Sequence, residues 1–336
     1  MDHVLARGPA QRGPARLAVA LMTAAALALA ACGGAAVAPA PTPAPATPAP
    51  ATPAPATPPP ATPAPATAAP AAVVNVEAFE QGDSYFLKAD QLAVPAGKVT
   101  FNFKNTGKMQ HELFVYPVQD LTKMLVLRRA GKDAAETDYI KDLGGVAEDV
   151  DAGKSATLAT TLKPGFYELT CHKRGQNADG STFVHYDKGQ TLTLAVTGPG
   201  GPAASVATPA SAIAVELKDG PNGSWLFIPD KLAATAGDVA FKVTNNMKVE
   251  HDFVVKPLGD ISKAVAASLK GGHDTGFDEL GAVELFGNLA PGKTDTKSTK
   301  LTPGYWEMAC YMVGKNADGT AFQHRDMGQH IVFLVK

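Results

Sequence analysis

Cysteine is scarce, with three in 336 residues, which excludes a disulfide framework for a chain of this size. Charge of one sign is also lacking. A formal net charge of −2 removes the electrostatic case for nucleic acid as a partner. The apolar run from Leu17 to Ala31 carries no charge, but it is too short and too Ala-rich to read as a membrane span. Proline is not rare, yet it is concentrated in one segment instead of being spread through the rest of the chain.

Arg7, Arg12 and Arg16 precede the apolar run, so residues 1–31 read as an export signal. The run ends in Leu29-Ala30-Ala31-Cys32, which resembles a bacterial lipobox. That resemblance implies lipidation of Cys32 and an exported, lipid-anchored protein of the bacterial cell envelope. The globular part would then lie in the periplasm or outside the cell. The alternative is an ordinary signal peptide cut after Ala30 or Ala31. Residues 32–72 hold the anchor Cys and then almost only Ala, Pro and Thr, so this stretch reads as a disordered stalk. At ~3.1 Å per residue in polyproline II, it could reach roughly 120 Å.

What remains is a duplication. Residues 73–197 and 212–336 carry one pattern twice, joined by a flexible linker at 198–211. Ser84-Tyr85 pairs with Ser224-Trp225, Phe101 and Asn105 with Phe241 and Asn245, and PGFYE from Pro164 with PGYWE from Pro303. CHKRGQNADGSTFVHYDKGQ then aligns without a gap on CYMVGKNADGTAFQHRDMGQ. Alternating apolar positions in Val99–Phe103, Val239–Val243, Thr191–Val196 and Ile331–Val335 predict strands of an all-β sandwich. One helix per unit is expected. Asp120 and Asp260 stand at its start, Gly131 and Gly271 follow its end, and Arg128, Arg129 and Lys270 sit in its last turn.

Cys171 and Cys310 occupy equivalent places, one per unit, and His111 and His185 pair with His251 and His324. A metal-ligand role explains one cysteine per domain without a partner. A buried inert cysteine or an inter-domain disulfide are the other readings. His172 follows Cys171 directly, with Tyr311 at its counterpart. Along a strand it points to the opposite face from the thiol, which leaves it a minor candidate.

PGFYELTC and PGYWEMAC resemble the strand that delivers the ligand cysteine in cupredoxins, the type 1 blue copper family. The Asn six residues before His111 and His251 resembles that family's first-ligand segment. HYDKGQ and HRDMGQ resemble its C-terminal ligand loop, with Gln190 and Gln329 at the axial place, as in stellacyanin. The resemblance implies two tandem Greek-key domains of cupredoxin type, each with one short helix in an inserted connection. It implies copper, one per domain and two in total, held by His111, Cys171, His185 and Gln190, and by His251, Cys310, His324 and Gln329. Met327 is an alternative axial donor in the second domain. Thiolate and imidazole suit both copper oxidation states, and an axial amide favours Cu(II) more than a thioether does. Glu112 and Asp252, next to the first histidines, add negative charge. The Cys–His spacing is far longer than in the smaller family members, and Asn177-Ala-Asp-Gly180 marks a turn that would let it double back.

The function expected is electron transfer with redox partner proteins of the envelope, the second histidine of each site being the exit edge. Copper storage or delivery is the alternative, and a two-domain copper oxidoreductase the less favoured one. Copper oxidases and reductases use His-x-His pairs for a further copper centre, and the sequence has none. The chain is therefore expected to be a carrier and not an enzyme.

Overall fold

The structure is a computed structural model and describes residues 71–199, 212–259, 281–315, 319 and 321–336. The export signal, Cys32 and nearly all of the stalk lie outside the described residues. So do most of the linker and the helix expected after Asp260.

The first unit runs β1 (Ala72–Gln81), β2 (Ser84–Ala89), β3 (Ala93–Pro95), β4 (Gly97–Asn105) and β5 (His111–Pro117). It continues through α1 (Leu121–Arg129), α2 (Asp133–Ile140), β6 (Gly145–Val150), β7 (Ser155–Leu162) and β8 (Gly165–Thr170). It ends with β9 (Arg174–Gln176), β10 (Thr182–Val184) and β11 (Thr191–Thr197). The second unit repeats the strands as β12 (Ala212–Asp219), β13 (Trp225–Pro229), β14 (Ala233–Ala234), β15 (Gly237–Asn245), β16 (His251–Pro257) and β17 (Val283–Leu289). Then come β18 (Thr294–Leu301), β19 (Gly304–Ala309), β20 (Val313–Lys315), β21 (Ala321–Gln323) and β22 (His330–Val335). Each unit is the expected all-β sandwich of two sheets. Sheet orders β2-β1-β4-β7 and β3-β11-β8-β5-β6 recur as β13-β12-β15-β18 and β14-β22-β19-β16-β17. Parallel pairs β1/β4 and β3/β11 recur as β12/β15 and β14/β22. In β4, Val99, Phe101 and Phe103 are buried while Asn102 and Lys104 are exposed, so the alternation read from the sequence is the core face of a sheet.

β11 does not alternate. Leu192 and Leu194 face the core, yet Thr191 and Thr193 are also fully buried. Their face packs on the other unit, where Val332 N–H donates to Thr193 Oγ1 at 3.0 Å. The contact is isologous in kind, because equivalent positions meet each other. Tyr186 and Arg325, counterparts in the two copies, are hydrogen-bonded across the interface, with the guanidinium 4.7 Å from the ring centroid. His330, the counterpart of Thr191, lies 3.1 Å from Glu168 Oε2 and 3.4 Å from Glu307 Oε1. Arg325 is fully buried and ion-paired to Glu307 at 2.6 Å, with Lys256 at 3.4 Å from the same carboxylate. Burial opposes ionisation of Glu307, but Arg325 and Lys256 outweigh it and hold its pKa well below the usual carboxylate range.

The first unit has two helices, not the single one expected. Its second helix, α2, lacks a strong apolar period and is held by Ile140, which packs with Phe114, Tyr116, Leu121, Met124 and Tyr186. Asp120 does stand at the N-terminus of α1, but its carboxylate accepts from Tyr139 Oη at 2.6 Å and caps no backbone N–H. Gly131 follows the helix with φ +69°, a left-handed turn that ends it. The basic last turn has specific partners: Arg128 pairs with Glu136 and Glu112, and Arg129 bridges Asp187 to Asp326 of the second unit.

Candidate metal centres

Each unit gathers its cysteine and two histidines at one end of the sandwich. β5 begins at His111, and Asn105 fixes the approach to it. Asn105 Nδ2 donates to Met109 O at 2.7 Å and Val150 O at 2.8 Å, while its Oδ1 accepts Gly107 N–H at 2.9 Å. Asn245 does the same for His251 through Val249 O, Leu289 O and Met247 N–H. Both asparagines are fully buried. Cys171 and Cys310 follow β8 and β19 and are free thiols. Equivalent residues do meet across the domain interface, but the cysteines are not among them.

The long Cys–His spacing closes through a hairpin. β9 pairs with β10 and β20 with β21, so His185 N–H donates to Lys173 O at 2.8 Å and His324 N–H to Met312 O at 3.0 Å. Each second histidine is thereby returned beside its cysteine. Past it the chain makes a short 3-10 turn and reverses at Gly189 (φ +96°) or Gly328 (φ +105°). The reversal brings Gln190 and Gln329 back, their carbonyls accepting the N–H of Cys171 and Cys310 at 3.1 Å.

The result is two nearly congruent triangles. In the first, Cys171 Sγ lies 3.9 Å from His111 Nδ1 and 3.4 Å from His185 Nδ1, and the nitrogens are 3.3 Å apart. In the second, the distances from Cys310 Sγ to His251 and His324 Nδ1 are 3.8 and 3.4 Å, with 3.2 Å between nitrogens. These are the groups among the described residues whose ligand atoms converge as a metal site requires. A point equidistant from the three atoms lies ~2.1 Å from each in the first site and ~2.0 Å in the second, close to nitrogen– and thiolate–metal bond lengths of about 2.0–2.3 Å. Thiolate with two imidazoles in a trigonal set is a copper donor set. The axial place also fits. Gln190 Nε2 donates to Phe86 O at 3.2 Å and Gln329 Nε2 to Met247 Sδ at 3.4 Å, leaving both buried amide oxygens without a protein donor. Met327 turns its sulfur to Thr122 of the first unit, 3.8 Å away. His172 has both nitrogens engaged, Nδ1 by Glu136 and Nε2 by Tyr116 at 3.0 Å.

Backbone N–H groups of Glu112 and Asp252 donate to the two sulfurs at 3.3 Å, a contact that favours thiolate. Without a metal, burial pushes both thiols far up, so each is an inert thiol until a cation displaces its proton. The negative charge expected beside the sites is compensated or engaged: Glu112 Oε2 lies 3.2 Å from Arg128 Nη2, and Asp252 accepts Asn288 N–H at 3.0 Å. Burial raises the Glu112 pKa to about 7, with Arg128 opposing it.

The histidines are lowered by burial, His185 to about 3, with His111 adding repulsion, and His251 to about 4. Both folded values lie below the ordinary 6.5, so the unfolded chain takes up these protons first. Metal-free protein is therefore expected to keep the histidine contribution to stability above about pH 6.5 and to lose it as pH falls toward 3. Buried His330, raised by Glu168 against its burial, and Glu112, raised by its own burial, work in the opposite sense. The urea midpoint of metal-free protein should be lower at pH 5 than at pH 7.5, and His185→Asn should flatten that dependence. An equal or higher midpoint at pH 5 contradicts the assignment.

The second histidines are covered, not presented at an exposed edge: His185 is 0% exposed and His324 is 5%. Tyr85 meets the His185 ring edge-on at 4.6 Å, and Trp225 meets His324 at 4.5 Å. Phe183 and Phe322, delivered by the hairpins, stack on the same rings at 6.0 Å. Gly175 and Gly314 make room for them, because an added Cβ would overlap the phenyl ring. These aromatic pairs were legible only as retained positions of the repeat. Gly175→Val should push Phe183 off His185 at a cost of about 1–3 kcal/mol. It should also speed copper loss to a chelator from the first site alone. Unchanged release would show that Phe183 is no cover.

No family model matches the chain, and no curated protein matches its sequence. Among solved structures, it is similar to a multicopper oxidase at 12% identity, covering 79% of this chain and 89% of that one, with TM-score 0.27. It is similar to a dithionite-reduced auracyanin from the photosynthetic bacterium Roseiflexus castenholzii at 20% identity, covering 37% and 97%, with TM-score 0.27. It is also similar to a copper-containing nitrite reductase from Thermus scotoductus at 12% identity, covering 79% and 61%, with TM-score 0.23. The oxidase and the reductase are enzymes by their names. The expectation of a carrier without enzymatic activity, drawn from the missing His-x-His pairs, is corrected on this finding.

Proposed function

We propose that this chain is a copper protein that moves single electrons, with one copper in each unit. His111, Cys171 and His185 hold the first, with Gln190 axial, and His251, Cys310 and His324 hold the second, with Gln329 axial. The observation that carries the reading is the pair of congruent, buried His–Cys–His triangles. Copper in such a site supplies a reversible one-electron couple. The protein's part is a rigid donor set: buried ligands, sulfurs fixed by backbone N–H groups, and rings wedged between aromatic side chains. That rigidity suits a donor set whose geometry changes little between oxidation states.

From the N-terminal sequence, the same proposal includes export, lipid anchoring at Cys32, and redox partners in the cell envelope reached on the Ala/Pro/Thr stalk. The copper-loaded protein should show an intense visible thiolate-to-copper band that bleaches on reduction and returns on oxidation, with two coppers per chain. Tight Cu(I) binding with no stable Cu(II) form would replace electron transfer by storage or delivery. More than two coppers per chain would add a catalytic centre.

A further inference from the structure

The two sites share their donors but not what stands behind the first histidine. His111 Nε2 lies 2.8 Å from Glu80 Oε1. The Glu80 carboxylate is itself anchored, accepting Lys108 N–H at 2.8 Å and Met109 N–H at 3.0 Å. Gly107 leaves the space it occupies, since a Cβ there would fall 2.6 Å from Glu80 Oε2.

The second unit differs at both positions. Met247 replaces Gly107, as the shared hydrogen bond to Asn245 or Asn105 shows. By strand register, Asp219 opposite Trp225 replaces Glu80 opposite Tyr85. Asp219 is one methylene shorter and exposed. Met247 is 3% exposed, and its sulfur accepts from Gln329 Nε2. His251 Nε2 is buried with no hydrogen-bond partner. A side chain at the Gly107 position and a carboxylate behind the histidine exclude each other, so the two exchanges belong together.

We propose that Glu80 is a positioning residue that fixes His111 as the tautomer with Nδ1 bare toward the metal and makes the first site the lower-potential one. A carboxylate on the far nitrogen of a ligating histidine raises its basicity and fixes its orientation. Greater basicity and a nearby negative charge favour Cu(II) over Cu(I); on the first histidine of the second site only the exposed Asp219 acts, through space and with no hydrogen bond to Nε2. Two backbone N–H donors hold the Glu80 carboxylate in place against the far nitrogen of His111. The inference rests on the copper reading of the triangles and adds an inequality between them.

The test is redox titration of the copper-loaded full chain beside nitrogen-15 NMR of the metal-free protein. Wild type should titrate in two waves. Glu80→Gln should raise only the lower wave, by about tenfold in the Cu(II)/Cu(I) ratio, which is about 59 mV for one electron. Glu80→Asp should restore part of the shift. Asp219→Glu with Met247→Gly should lower the other wave. In metal-free wild type, His111 should carry its proton on Nε2, and Glu80→Gln should release that preference. Two bound coppers with equal potentials, or a Glu80→Gln protein with both waves unmoved, overturns the inference and leaves the copper reading intact. Failure to bind copper overturns both.

Discussion

Cys171→Ser is expected to remove one of two bound coppers and about half of the visible absorption, and Cys310→Ser the other half. The double variant should be colourless. The sulfur would be the strongest donor of each triangle and the source of the absorption band, and a serine oxygen would replace it poorly for either copper oxidation state. Each thiol is fully buried against two imidazoles, so no neighbouring cysteine can stand in. The substitution is nearly isosteric, which keeps the fold available to the other site. Copper analysis with absorption spectra of the three variants checks this. Full copper content in either single variant would remove its cysteine from the site.

The second large effect is expected at the interface. Arg325→Met should destabilise the protein by about 3–5 kcal/mol, the usual cost of removing one partner of a buried ion pair. Arg325 lies between Glu307, which it pairs at 2.6 Å, and Tyr186 of the first unit, and none of the three is exposed. Removing it leaves Glu307 with the Lys256 ammonium at 3.4 Å and the His330 ring at 3.4 Å as its neighbours. Adding Glu307→Gln should recover part of the loss, because an uncompensated buried charge then disappears with its partner. Urea unfolding reads both. A loss below about 1 kcal/mol for Arg325→Met would place the pair among weak surface bridges.

The duplication made the candidate donors readable. Two copies of one pattern act as an internal control, and a Cys, two His and a Gln survive at matching offsets while much around them differs. Strands such as β4 were readable for an ordinary reason: one face is core and the other solvent. β11 was harder because its polar face is buried by the other unit, and nothing local in Thr191 or Thr193 signals a neighbouring domain. α2 has no clear apolar period, since Glu136 is buried by Arg128 and His172 and not by a hydrophobic stripe. Tyr85 and Glu80 sit on strands distant in sequence from the histidines they touch. Only the register of β1 and β2 brings them to the site.

The most direct test is a crystal structure of the copper-loaded protein with anomalous scattering recorded at the copper edge. Two peaks are expected, each bonded to one sulfur and two Nδ1 atoms: Cys171, His111 and His185 in one unit, Cys310, His251 and His324 in the other. A single peak, or copper bound outside the two triangles, would contradict the account.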